Sequence, residues 1–302
     1  MSIPRVLSFG DNVVDCYADQ SLMYPGGNCL NHAVFAHRFG AETTYVGAVS
    51  NDAAGGMIRD ALAAEGVDAS LLRVLPGNTA FCVIGTEDGE RVFQGADLGV
   101  SIIGPGPADL DRMAQVDAVH TGRSSHVDAW LPHFAARTRL SYDFATVHDL
   151  GRIASVAPHC YLASFSAGGI GGEQALRLGE AAAQGGARHV LVTRGEKGAF
   201  LLSAGQIVET RAAAITPVDT LGAGDTFIAR VLVGLLRGET PADLLAAAAT
   251  EAAHTCSWQG GFGHAGPMEI DLSLAKPVDE IYRITRPVPA PPLDGQAGRF
   301  RG

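Results

Sequence analysis

No block of lysine or arginine interrupts this chain, and charged residues of both signs make up only 18 % of it. With a formal net charge of −10, it lacks the basic face that nucleic acid or an anionic membrane surface would need in a main partner. Long hydrophobic runs are missing as well, since no stretch approaches the ~18 apolar residues of a membrane span. The N-terminal MSIPRVLSFGD passes from a short lead straight into a brief apolar run, which is too short for a signal peptide. Cysteine is sparse, odd in number and scattered, at Cys16, Cys29, Cys82, Cys160 and Cys256, and never spaced C-x-x-C. That excludes a disulfide framework and a cysteine zinc site, and it points to a soluble protein with reduced thiols in the cytoplasm.

Several catalytic signatures are absent too. There is no G-x-x-x-x-G-K-[ST] phosphate loop, and the glycines at Gly168, Gly169, Gly171 and Gly172 do not spell G-x-G-x-x-G. Neither H-E-x-x-H nor G-x-S-x-G occurs, which removes the commonest metalloprotease and serine-hydrolase arrangements.

What is present is ample core material, with 47 % apolar residues, and 38 glycines clustered between apolar runs as turns. Short strand-like runs at Val6–Phe9, Thr43–Val49, Val116–His120, Leu140–Phe144, His159–Ala163, His189–Thr193 and Ala199–Leu202 alternate with helical patterns. The helices are expected at Asn28–Arg38, Ala53–Glu65, Val127–Ala136, Gly172–Gln184, Ala223–Leu236 and Pro241–Trp258. This alternation predicts βαβ units, hence an α/β fold with a mainly parallel central sheet covered on both faces. Residues 78–100 break the rhythm: two β-like runs flank Asp88-Gly89, a hairpin signal. Such a hairpin is either an edge decoration or a lid over a pocket. Arg286–Gly302, with four prolines, reads as an extended or disordered tail.

Three clusters could carry chemistry. In the first, Asp219-Thr220-Leu221-Gly222-Ala223-Gly224-Asp225 opens directly onto an apolar helix. The first turn of a helix offers unpaired N–H groups and partial positive charge, and glycines let an anion come close. Asp225 reads either as a helix cap or, if Asp219 or Thr220 caps, as a carboxylate placed to take a proton from an attacking hydroxyl. In the second cluster, Gly26-Gly27-Asn28 and Asn31 open a helix, while Asp11, Asn12 and Asp15 follow the first strand. These groups suit paired hydrogen bonds to sugar hydroxyls, or serve as plain turn and cap chemistry. The third, Val192-Thr193-Arg194-Gly195-Glu196-Lys197-Gly198, is on its own a tight turn between strands.

Taken in order, the three resemble the ribokinase (PfkB) family. Its D-T-x-G-A-G-D signature is matched at Asp219–Asp225, its Gly-Gly-Asn motif at Gly26–Val34, and its V-T-x-G-x-x-G phrase at Val192–Gly198. The resemblance implies a three-layer α/β/α kinase domain over residues 1–285, with lid elements at about 10–25 and 78–100. It implies ATP as phosphoryl donor, Asp225 as base, and the N–H groups of Gly222, Ala223 and Gly224 as an anion hole. It assigns Asp15, Gly26, Gly27 and Asn31 to the sugar, and Thr193, Gly195, Gly198, Asp219, Thr220, His254 and Ser257 to the nucleotide side.

Within the family the text is most similar to the fructoselysine kinases, through Gly10–Tyr17, Gly26–Val34, Arg91-Val92-Phe93 and Ala253–Gly261. That adds Asp11, Asn12 and Arg123 as substrate contacts and makes a sugar–amine the expected acceptor. A plain sugar or nucleoside acceptor, or a non-catalytic sensor of the same fold, stands as the alternative. The family's N-x-x-E motif is replaced by Ala163-Ser164-Phe165-Ser166-Ala167-Gly168-Gly169, so no protein metal ligand is assigned and Mg2+ is expected to arrive with ATP. Lids of this type pair between subunits, which makes a homodimer the expectation.

Overall fold

The computed structural model describes residues 2–87 and 90–292. Its centre is an eight-stranded sheet built from β1 (Arg5–Phe9), β4 (Glu42–Val46), β9 (Ala118–Gly122), β10 (Arg139–Asp143), β11 (Leu162–Ser166), β12 (His189–Thr193), β13 (Ala199–Ser203) and β14 (Gln206–Thr210), in the order β14-β13-β12-β11-β10-β9-β1-β4. The six strands from β12 to β4 run parallel, and β13 and β14 close the other edge antiparallel.

Side-chain alternation explains why these runs are strands buried on both faces. Val6 points into one apolar cluster while Leu7 and Phe9 point into the other, and Leu191 alternates with Val190 and Val192 in the same way. One cluster takes side chains from the helices α1 (Asn28–Arg38), α2 (Ala53–Glu65), α7 (Ala223–Arg237) and α8 (Pro241–Thr255). The opposite cluster takes them from α3 (Pro107–Met113), α4 (Leu131–Ala135), α5 (Leu150–Val156) and α6 (Gly172–Gln184). Three layers result, as expected.

Local chemistry fixes several element ends. Asp52 caps α2 by accepting from Gly55 N at 2.8 Å, and Gly66 ends it at φ 74°. Thr240 caps α8, with Pro241 in its first turn. Expected α1, α2 and α6 match the observed bounds. Four other elements differ by three residues or more at an end, and the rest by at most two. Thr43–Val49 splits at Gly47, leaving β4 in the main sheet and β5 (Ala48–Val49) paired with β6 (Arg73–Val74). Val127–Ala136 becomes a 3-10 turn at Asp128–Trp130 followed by α4, because Pro132 can sit only in a first turn. The strand expected at His159–Ala163 starts at Leu162, since Pro158 lies in a 3-10 turn. Helix α8 stops at Thr255, short of Trp258.

A second sheet stands apart from the first, in the order β15-β3-β2-β7-β8. It comprises β2 (Val13–Tyr17), β3 (Leu22–Gly26), β7 (Phe81–Glu87), β8 (Glu90–Asp97) and β15 (Gly266–Pro267). The expected hairpin is therefore formed by β7 and β8; its Asp88-Gly89 tip lies outside the described residues. Tyr17, Tyr24 and Ile84 make this sheet's own small apolar cluster. After α9 (Val278–Ile284), residues 286–292 carry no regular structure but are hydrogen-bonded: Val288 N donates to His126 O at 2.8 Å, and Trp130 Nε1 to Pro289 O at 2.9 Å. The rest of the expected tail falls outside the described residues. No helix among them is long and apolar enough to cross a membrane.

Candidate active site

In an open parallel sheet, ligands bind beyond the carboxyl ends of the strands where the chain order reverses. Here that point is β1, whose neighbours are β4 on one side and β9 on the other. Asp11 follows β1, Arg123 follows β9, and Asp143 ends β10. The N-termini of α1 and α7 converge on the same place.

Two glycines make this convergence possible. Gly222 is the N-cap of α7 at φ 77°, and a Cβ there would stand 2.8 Å from the Gly261 Cα. Gly27 is the N-cap of α1 at φ 108°, where a Cβ would stand 2.7 Å from the Asn12 Cα. Asp225 is consequently the third residue of α7, and its side chain caps nothing. Instead, Asn28 Nδ2 donates to Asp225 Oδ1 at 2.9 Å and Asn31 Nδ2 donates to Asp225 Oδ2 at 2.7 Å. The cap reading of Asp225 fails, and so does the idea that Asp219 or Thr220 caps this helix.

The electrostatics follow from crowding. Burial, with help from Asp143 and Asp11, raises the Asp225 pKa to about 8 against the lowering effect of the two asparagine amides. Asp143 is raised by burial to about 6, with Ala145 N and Ser164 Oγ donating to Oδ1 at 3.0 and 3.3 Å and Arg123 drawing it back down. Asp11 accepts from Asn28 N at 2.9 Å and from Ser125 Oγ at 2.9 Å, which ties the α1 N-terminus to the end of β9. Beside these carboxylates, the first-turn N–H groups of Ala223, Gly224 and Asp225 have no intrahelical acceptor. Ala223 N reaches only Thr220 O, at 3.4 Å, and nothing would meet a Cβ on the exposed Gly224.

The remaining expected residues divide into four groups. Asn31, Gly26, Gly27, Asp15, Asp11 and Arg123 gather around this cleft: Asp15, on β2, lies against Gly26, where a Cβ would meet its Oδ2 at 2.0 Å. Asn12 keeps its amide oxygen buried without a hydrogen-bond partner. That residue is fully buried, and its amide donates to Tyr45 Oη and Ala48 O, both at 2.9 Å, so it braces the loop behind β1. Asp219 is likewise a brace rather than an open nucleotide contact. Its carboxylate accepts from the Tyr17 hydroxyl, from Leu221 N at 3.0 Å and from Gly260 N at 3.1 Å, which fastens the second sheet to both loops. Thr220, His254 and Ser257 are exposed alongside, and Val218 N donates to Cys256 O at 2.8 Å to hold the two segments together. Thr193, Gly195 and Gly198 sit at the end of β12, three places along the sheet from β9.

Sequence reasoning missed Asp143, Ser125 and the bridging part played by Asn28, whose Nδ2 also donates to Asp143 Oδ2 at 2.9 Å. The signal for Asp143 was a lone acidic residue near the end of a predicted parallel strand; for Asn28 there was none beyond its place in the motif.

The profile of the family described as "pfkB family carbohydrate kinase" matches residues 3–121 and 165–262. The chain is 32 % identical over 272 residues to the fructosamine kinase FrlD of Bacillus subtilis, covering 88 % of this chain and 96 % of that one. It is 32 % identical over 258 residues to the fructoselysine 6-kinase of Escherichia coli, covering 84 % and 98 %. The fold is similar to that of Arabidopsis thaliana ribokinase complexed with ribose and ATP, with a TM-score of 0.74 at 21 % identity over 91 % of this chain and 99 % of that one.

Proposed function

The chain belongs to the pfkB family of carbohydrate kinases and moves the γ-phosphoryl group of ATP onto a sugar hydroxyl; we propose that its acceptor is the 6-hydroxyl of fructoselysine or a related sugar–amine. The observation that carries the chemistry is the seating of Asp225, held by Asn28 and Asn31 beside the open first turn of α7. In its ionised form Asp225 takes the proton of the acceptor hydroxyl while that oxygen bonds to the γ-phosphorus. The bond from phosphorus to the bridging oxygen of ADP breaks, and the pair of electrons leaves with ADP. The N–H groups of Gly222, Ala223 and Gly224 are assigned to the charge on the transferring group.

On the acceptor side, Asp11, Asp15, Gly26, Gly27, Asn31 and Arg123 are assigned to the sugar. Asn31 Oδ1 is buried with no hydrogen-bond partner, which suits a donating hydroxyl. An ammonium on the substrate matches a cleft in which Asp11 and Asp143 flank the base, and the likeness to a fructosamine kinase and a fructoselysine 6-kinase supports that class. Thr193, Gly195, Gly198, Thr220, His254 and Ser257 are assigned to the nucleotide side.

Among the described residues no group of three or more His, Cys, Asp or Glu side chains could hold a metal ion. Mg2+ is assigned to the triphosphate itself, where it would supply charge neutralisation. The second sheet is assigned as the lid and, with Phe93 51 % exposed on β8, as the face that pairs two chains. The odd number and scattered spacing of the five cysteines support a reducing, cytoplasmic setting.

An ADP-release assay with ATP and Mg2+ against fructoselysine, other fructosamines, fructose, ribose and adenosine tests the proposal. Turnover should be confined to the sugar–amines. Turnover only with the plain sugars or the nucleoside would replace the acceptor, and silence from folded, ATP-binding protein would sink the assignment.

A further inference from the structure

We infer that His120 is a positioning residue for phosphoryl transfer: it locks the Asn28 amide in the one orientation that lets its nitrogen serve Asp143 and Asp225 together. The inference rests on the reading of Asp225 as base.

Asn28 Nδ2 has two hydrogens, and the two carboxylate oxygens at 2.9 Å take one each. A flipped amide would instead turn its oxygen onto two carboxylates. What opposes the flip is on the far side, where Asn28 Oδ1 lies 3.3 Å from His120 Nε2. For that ring nitrogen to donate, His120 Nδ1 must be bare, and Ser141 Oγ stands 2.9 Å from it to donate into it. With both carboxylates ionised, as the reaction requires of Asp225, one assignment satisfies every atom, running Ser141 Oγ–H to His120 Nδ1, Nε2–H to Asn28 Oδ1, and both Nδ2–H bonds to the carboxylates.

The ring is also held rigidly neutral. His120 is fully buried and stacked on His32, with centroids 3.7 Å apart and planes 8° from parallel. His32 comes from α1, one turn beyond Asn28, and its Nδ1 lies 2.9 Å from Ser8 Oγ on β1. Burial pushes the His120 pKa down to about 3 and, together with the neighbouring ring, drives His32 well below its ordinary value. The rings consequently stay neutral across the working pH range. The groups acting on Asp225 are Asp11 from the loop after β1, Asp143 from β10, and Asn28 and Asn31 from α1. Arg123, from the turn after β9, acts on Asp143.

Two substitutions separate positioning from packing. His120→Met keeps much of the volume but donates nothing, so Asn28 is free to turn and Asp225 loses a donor that favours its ionised form. Its kcat should fall about tenfold, on the order of one hydrogen bond, while the acid limb of kcat/KM moves to higher pH and the KM for ATP stays put. His120→Gln returns an N–H near the same place and should restore both the rate and the limb. A methionine variant with the wild-type profile, or a glutamine variant no better than methionine, overturns the inference.

A second measurement needs no variant: long-range 1H–15N NMR of the intact enzyme should find His120 as the Nε2–H tautomer, and the Nδ1–H tautomer would overturn it. Failure here is distinct from failure of the base assignment. Inactive Asp225→Asn beside an unperturbed His120→Met sinks only the positioning role, whereas active Asp225→Asn sinks the base.

Discussion

Asn31 and Asp225 lie 194 residues apart in the chain, yet the amide nitrogen of one is 2.7 Å from a carboxylate oxygen of the other. Their contact joins the first turns of two packed helices, α1 and α7, and so fixes the place where a hydroxyl can lose its proton. Removing the charge while keeping the shape is the direct test. In Asp225→Asn, ATP binding should persist and kcat should fall ~10²-fold or more. Retained turnover in single-turnover mixing would dismiss the base.

The same variant carries a stability prediction. A carboxyl whose folded pKa is raised to about 8 binds its proton more tightly in the folded state than in the unfolded one. Between the ordinary carboxylate value and about 8, wild-type stability is therefore lost as pH rises. Asparagine removes that loss, so the difference in Tm, variant minus wild type, should grow from pH 5 to pH 8.5 and then level. A flat difference would mean that Asp225 ionises freely.

For the wild type, kcat/KM reports the free enzyme, and the base must be ionised to act. The rate should climb about tenfold per pH unit below an inflection near 8 and flatten above it. Asp143→Asn removes one of the charges holding that value up, so its inflection should move to lower pH. Unmoved profiles in buffers of constant ionic strength would remove the coupling between the two carboxylates.

Much of this was legible in the sequence, and the limits have physical causes. Helices α1, α2 and α6 were bounded by capping residues and glycines close by in the chain, so local chemistry sufficed. The Asp225 motif was legible because an anion hole at a helix start is itself a local object. For Asn12 and Asp219 the motif does not disclose which way a polar side chain points: the amide of one donates to Tyr45, and the carboxylate of the other accepts from Tyr17. Asp143 was silent for the opposite reason. Its value comes from register, since β10 pairs Asp143 with Gly122 of β9 and so brings it beside Asn28.

The Tyr17–Asp219 contact is the tie between the second sheet and the loop that opens α7. Tyr17→Phe keeps the ring against Tyr24 and deletes only the hydroxyl, leaving Asp219 with Leu221 N and Gly260 N. A hydrogen bond to a charged group contributes about 1.5–3 kcal/mol, so Tm should fall by several degrees at most. Because the sheet is assigned as the lid, the acceptor KM should rise more than kcat falls. Equal kinetics in wild type and variant would detach the tie from substrate binding.

A steric demand of the same kind as that at Gly27 falls on Gly222. Its φ of 77° lies in the left-handed region, where a non-glycine residue costs on the order of 1–3 kcal/mol. Alanine adds a second penalty, since its Cβ would stand 2.8 Å from the Gly261 Cα and 3.1 Å from the Gly261 oxygen, both backbone atoms with little room to yield. Relief requires the loop to shift, and the first-turn N–H groups of α7 move with it. Gly222→Ala should therefore lose kcat by more than tenfold with a lower Tm. Gly224→Ala is its control: no atom lies within 4 Å of its would-be Cβ, and its Tm should stay near wild type. If Gly222→Ala matched Gly224→Ala in Tm and the wild type in kcat, the N-terminus of α7 would not depend on this turn for its aim.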